Sequence, residues 1–171
     1  MILKPTTNEY PERFEAYIGL MCEDSLIDVL RKDRNQTYHF FENMEEHQLE
    51  HRYDQGKWSV KEILMHINYV ERIMQHYAFA ASRNDDQSTI APINHNVYFE
   101  NSEIKSMSVD ELLDEFNTIR NYTIELFLGL SQNQLLSRCG LGNNAISARA
   151  IGFTITGHAR HHINIIKERY L

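Results

Sequence analysis

The segment Gly157–Leu171 contains no proline and, after Gly157, no glycine, and its apolar residues recur with the period of an α-helix. Stepping about 100° per residue from His158 puts Ile151, Ile155, Ile165 and Ile166 in one arc with His158 and His162. Arg160, Asn164, Lys167 and Glu168 fall on the opposite side, and His161 lies at the edge of the arc. Two imidazoles one helical turn apart therefore interrupt the stripe that a globular fold buries. Burying them among isoleucines costs free energy unless they find partners. This chain has to fold so that the terminal helix meets something that satisfies those nitrogens.

A second segment poses the same problem. Over Trp58 to about Ala81, helical phase groups His66 with Ile63, Val70, Ile73 and Tyr77, while Lys61, Asn68, Arg72 and Gln75 take the other side. Ser59 and Glu62 fit a capping box, in which hydroxyl and carboxylate each cover an otherwise unpaired amide. His66 interrupts its own apolar stripe. Two helices that both bury histidine can face one another in a bundle, and such facing side chains build metal sites. Three neutral imidazoles with the remaining positions open to water is a catalytic type of coordination, whereas a closed structural site takes four protein ligands. A single core histidine is more often hydrogen-bonded than a ligand; it is the coincidence of three that points to metal.

The rest of the chain suits one domain, residues 1–171, with 42% hydrophobic residues and only 7 Gly and 3 Pro. A first helix is expected from near Pro11, with Phe14, Tyr17, Ile18 and Met21 on its apolar face, and helix continues from Asp24 to about Met44. Residues 45–56 read as a polar connection and 83–106 as a long loop carrying Pro92. Ser108 opens another capped helix to about Leu130, residues 140–144 form a turn, and the last helix starts near Ser147. No stretch alternates cleanly as a strand. The expected fold is all-α, an up-down four-helix bundle around one core.

A net charge of -7 argues against a nucleic-acid platform. No apolar run approaches the ~20 residues that span a bilayer, and the N-terminus has no signal-peptide core. Cys22 and Cys139 make no disulfide framework, so a cytoplasmic protein acting on a small-molecule substrate is expected.

Other constellations carry less. His47 and His51 form a second i, i+4 pair, but Glu45, Glu46, Glu50 and Arg52 around them indicate a solvated segment. His76 falls off the stripe and is expected at the surface. Glu62, one turn before His66, is a candidate general base, in competition with its capping role. Cys139 has no base the sequence positions, and no strand is expected before Gly140 and Gly142, so neither a nucleophile nor a phosphate cradle is indicated. Arg169 is inward by phase and could meet an anionic substrate.

Trp58-Ser59-x-x-Glu62-x-x-x-His66, Glu71-Arg72-Ile73, and Gly157-His158-x-x-His161-His162-x-x-x-Ile166-x-x-Arg169-Tyr170 resemble the DinB/YfiT-like superfamily of metal-dependent enzymes. The likeness extends to Tyr98 and to the helix from Ser108 to Leu130. It implies a four-helix bundle holding nickel, zinc, iron or manganese, with His66, His158 and His162 as ligands. It further implies a thiol transferase using a low-molecular-weight thiol, or a hydrolase, and a homodimer. Many relatives carry an aspartate three residues after the first ligand, where this chain has Tyr69. Tyr69, His161 and Arg169 are the residues expected to support the metal or contact substrate. The same ligand set would also serve a non-catalytic metal- or ligand-binding bundle of a stress response.

Overall fold

The computed structural model describes residues 1–22, 25–104 and 106–171. Four long helices form the frame: α2 (Leu26–Glu42), α4 (Val60–Ser82), α6 (Val109–Leu128) and α8 (Ala148–Arg169). Short helices fill the connections: α1 (Glu15–Ile18), α3 (Glu46–Leu49), α5 (His95–Glu100) and α7 (Gln132–Leu136). Strands β1 (Arg138–Cys139) and β2 (Ile146–Ser147) pair antiparallel across the turn before α8.

The local chemistry sets the helix starts. Ser59 and Ser108 accept from the amides of Glu62 and Glu111, and each glutamate returns a bond to its capping residue's amide. Ser147 caps α8 by accepting from Ala150 N. The first helix is shorter than the sequence suggests. After Pro11 the chain makes a 3-10 turn, Glu12–Phe14, and then the single turn α1. The α2 helix begins at Leu26, and the expected start at Asp24 lies outside the described residues.

The long helices pack most closely as α4 on α8, α8 on α2, α2 on α6 and α6 on α4. Consecutive frame helices α2 and α4 thus lie across the bundle from each other. Helical faces that looked polar are consequently covered. On α4, Glu71 holds Arg120 of α6 in a buried bidentate pair at 2.8 Å for both bonds, and Thr123 donates to it at 2.6 Å. Asn68 donates to Leu112 O and Gln75 to Ile119 O. On α8, Arg160 forks onto Asp33 of α2.

Two apolar clusters make up the core. One gathers Phe14, Leu26, Leu30, Val70, Met74, Ile151 and Ile155, and the other Phe41, Leu64, Ile67, Phe116, Ala159, Ile163 and Ile166. On α4 the boundary falls between Ile67 and Val70, and on α8 between Ile155 and Ala159. His158 sits at that boundary, and His66 and His162 lie within a turn of it. Among the described residues no helix is long and apolar enough to cross a membrane.

Candidate metal centre

On α4, His66 is 3% exposed; on α8, His158 is 8% exposed and His162 is half-buried. Their side chains converge because α4 and α8 are packing neighbours. Nε2 of His158 lies 3.0 Å from Nε2 of His66 and 3.1 Å from Nε2 of His162. One ligand atom from each falls within 4.8 Å of the others.

Burial holds all three imidazoles neutral. It lowers His66 from 6.5 to about 2 and His162 to about 3, helped by neighbouring histidines, and lowers His158 well below its ordinary value. Neutral imidazole is the form that ligates. An imidazole nitrogen carries either one lone pair or one proton, so Nε2 of His158 cannot satisfy both neighbours. A cation that accepts a lone pair from each resolves the conflict, and metal–nitrogen bonds of about 2.0–2.1 Å span separations of this size. The donor set therefore fits a divalent transition metal, and no carboxylate or thiolate joins the group among the described residues.

The centre is one wall of a cavity of about 870 Å³. Phe14, Tyr17, Trp58, Val70, Met74, Ile90 and Ile93 supply its apolar lining, and Arg13, Thr89, Asn144 and Thr154 its polar positions. Gly157 is what lets α1 reach this wall. A Cβ there would overlap the carbonyl group of Tyr17, so only glycine admits the crossing. The Tyr17 ring then stands edge-on to His158 and His161, with centroids at 5.5 and 5.4 Å.

Of the supporting residues expected from sequence, His161 is half-buried and lines the cavity. Tyr69 bonds directly to His66, with its Oη 2.7 Å from Nδ1. Arg169 is a correction: it is exposed, stacked over the Tyr53 ring at 5.6 Å, and not among the cavity residues. The helix is in its last turn there, so inward phase no longer means burial. Glu62 also stays away from the centre. It caps α4 and takes two 2.6 Å bonds from Arg52. His47, His51 and His76 are exposed. Cys139 is buried, and burial pushes its thiol up to about 11, against a nucleophilic role.

Sequence reasoning missed His95. It opens α5, inside the segment read as an aperiodic loop, and its Nδ1 lies 2.7 Å from Tyr69 Oη. Its ring sits 4.8 Å from that of His66 and lines the cavity. Trp58 also packs on both rings, at 4.9 and 5.8 Å. A histidine beside Asn94 and Asn96 in a loop carries no periodic signal, so only the packing of α5 onto α4 could reveal it.

Fold and site together define an all-α bundle with a three-histidine cluster lining a cavity. The chain belongs to the DinB superfamily, whose sequence profile matches residues 30–166. It is similar in structure to YfiT from Bacillus subtilis, described as a probable metal-dependent hydrolase with an unusual four-helix bundle topology. That similarity has a TM-score of 0.72 at 19% identity, over 84% of this chain and 82% of that one. A DinB-like protein from the same organism, YjoA, matches with a TM-score of 0.57 at 16% identity, covering 85% of this chain and 89% of its own. No curated protein matches the sequence.

Proposed function

We propose that this protein is a divalent-metal-dependent enzyme in which His66, His158 and His162 hold the ion and a small nucleophile, water or a low-molecular-weight thiol, attacks an organic substrate in the adjoining cavity. The observation that carries this reading is the convergence of three neutral imidazoles on a cavity wall with no fourth protein ligand among the described residues. Held there, a divalent ion supplies Lewis acidity and a nucleophile at neutral pH. The description of YfiT as a probable hydrolase supports the reading at the level of reaction class.

The chain's own residues do the rest. Burial between two apolar clusters keeps the imidazoles unprotonated and their lone pairs free. Trp58, Phe14 and Met74 line the apolar part of the cavity. Thr154 and His161 place polar groups beside the ligands. The volume is within the range of small-molecule sites.

The test is elemental analysis of purified, tag-free protein, then cobalt substitution. One ion per chain, lost in His66→Ala, is expected. Added thiol that shifts the cobalt spectrum selects transfer; turnover of simple ester or amide substrates without thiol selects hydrolysis. A wild-type protein with no stoichiometric metal, and unchanged content in His66→Ala, overturns the proposal.

A further inference from the structure

Tyr69 Oη stands between two histidine nitrogens, 2.7 Å from Nδ1 of His66 and 2.7 Å from Nδ1 of His95. A phenol has one proton to give. If that proton went to His66, the His66 ring would carry its own proton on Nε2 and have no lone pair to offer an ion. If both imidazoles donated to the phenol, its O–H would be left over, and no other acceptor lies within its reach among the described residues. One arrangement uses every group: His66 Nδ1–H donates to Tyr69, and Tyr69 donates to His95 Nδ1. His95 is then protonated on Nε2.

We propose that Tyr69 and His95 form a directional hydrogen-bond relay that fixes His66 as an Nε2 ligand and leaves His95 Nε2–H as a donor for a carbonyl or anionic oxygen of the substrate. The proposal rests on the metal reading above and adds two roles to it. Tyr69 is a positioning residue that acts through His66. His95 is a substrate-binding residue: it lines the same cavity as the three ligands, and its Nε2 makes no hydrogen bond among the described residues.

The surroundings hold the relay in place. Tyr69 stacks on Tyr98 at 4.8 Å, and Trp58 wedges against His66, His95 and Phe99. Helix α5 thus carries the binding group together with Tyr98 and Phe99, which pack on Tyr69 and Trp58. This chain reaches His66 with a phenol. A carboxylate would accept from His66 and end the chain of bonds; the phenol accepts and passes a proton donor onward. Tyr69 therefore extends the site to a second histidine.

Zinc binding by the tag-free protein, measured by competition with a chromophoric chelator, tests both roles alongside imidazole nitrogen NMR of the zinc-loaded form. Long-range proton–nitrogen correlations distinguish protonated from unprotonated ring nitrogens. The expected result is His66 and His95 protonated on Nδ1 and Nε2 respectively. Tyr69→Phe keeps the ring but loses both bonds, and should weaken zinc binding about 10–100-fold. His95→Phe leaves Tyr69 able to accept from His66 and should weaken zinc binding less than Tyr69→Phe does, while weakening acetate, an oxyanion probe, about 5–10-fold, as one lost hydrogen bond would. Zinc bound normally by Tyr69→Phe, or His95 protonated on Nδ1, overturns the relay alone. Unchanged acetate affinity in His95→Phe overturns the binding role. Failure of the wild type to bind zinc removes the metal reading and the relay with it.

Discussion

Acid should unfold the metal-free protein through its buried histidines. His66 and His162 titrate near 2 and 3 in the fold, against 6.5 for a free imidazole. Between those values only the unfolded chain takes up a proton, so stability present above pH 6.5 is lost as pH falls toward the folded values. At about pH 5 the gap is about 1.5 units below 6.5, or about 2 kcal/mol for each group at about 1.4 kcal/mol per unit. The two together remove about 4 kcal/mol, and His158, lowered by burial, acts in the same direction. That is a large share of a typical net stability of about 5–15 kcal/mol. The window belongs to the histidines. Glu9, which burial would raise but which bonds from Arg149, Thr6 and Ser147 hold at about 2, begins to lose its contribution only below its ordinary 4.5. Urea unfolding followed by far-ultraviolet circular dichroism, after chelation, at several pH values between about 7.5 and 5 measures the effect. His162→Gln should recover about 2 kcal/mol of the pH dependence. A wild-type unfolding free energy that is flat across this range would mean the imidazoles take up protons within the fold, and the argument from burial would fail.

Other expectations follow from the same structure. Zinc or cobalt at about 100 times its dissociation constant should add about 2.7 kcal/mol at neutral pH, read as a rise in melting temperature that chelator reverses. Gly157→Ala should cost at least about 1–3 kcal/mol, because its Cβ meets the Tyr17 backbone rather than a movable side chain; thermal melting measures it. Glu71→Ala should cost about 3–5 kcal/mol by leaving Arg120 buried and unpaired, and pairing it with Arg120→Met should recover much of the loss in urea unfolding. Glu62→Ala should lose about 1 kcal/mol of cap stability with no change in zinc affinity by titration, since its carboxylate is held by the Ser59 amide and Arg52.

The trio is legible in the sequence because helical phase reports which side of a helix is buried. A polar residue in an apolar stripe then announces a partner. His66, His158 and His162 each broke such a stripe, and packing α4 against α8 put their nitrogens in contact. Phase misplaced Arg169, which lies exposed over the Tyr53 ring in the last turn of α8, and could not reach His95, which sits in a segment without a period. It also could not foresee that the polar faces of α4 and α8 would be covered. Asn68, Glu71 and Arg160 find partners on α6 and α2, and no residue within its own helix indicates such a distant match.

The amino-acid sequence by itself determined that the chain is helical, where α4, α6 and α8 begin, and that two of these helices bury histidine. Those properties depend on caps, periodicity and composition, which act over a few residues. Only the tertiary structure decided that α2 and α4 lie across the bundle, that Gly157 admits Tyr17 to the site, and that Tyr69 links His66 to His95. These depend on which surfaces meet across long stretches of chain, a choice made by the packing of the whole core rather than by any local pattern.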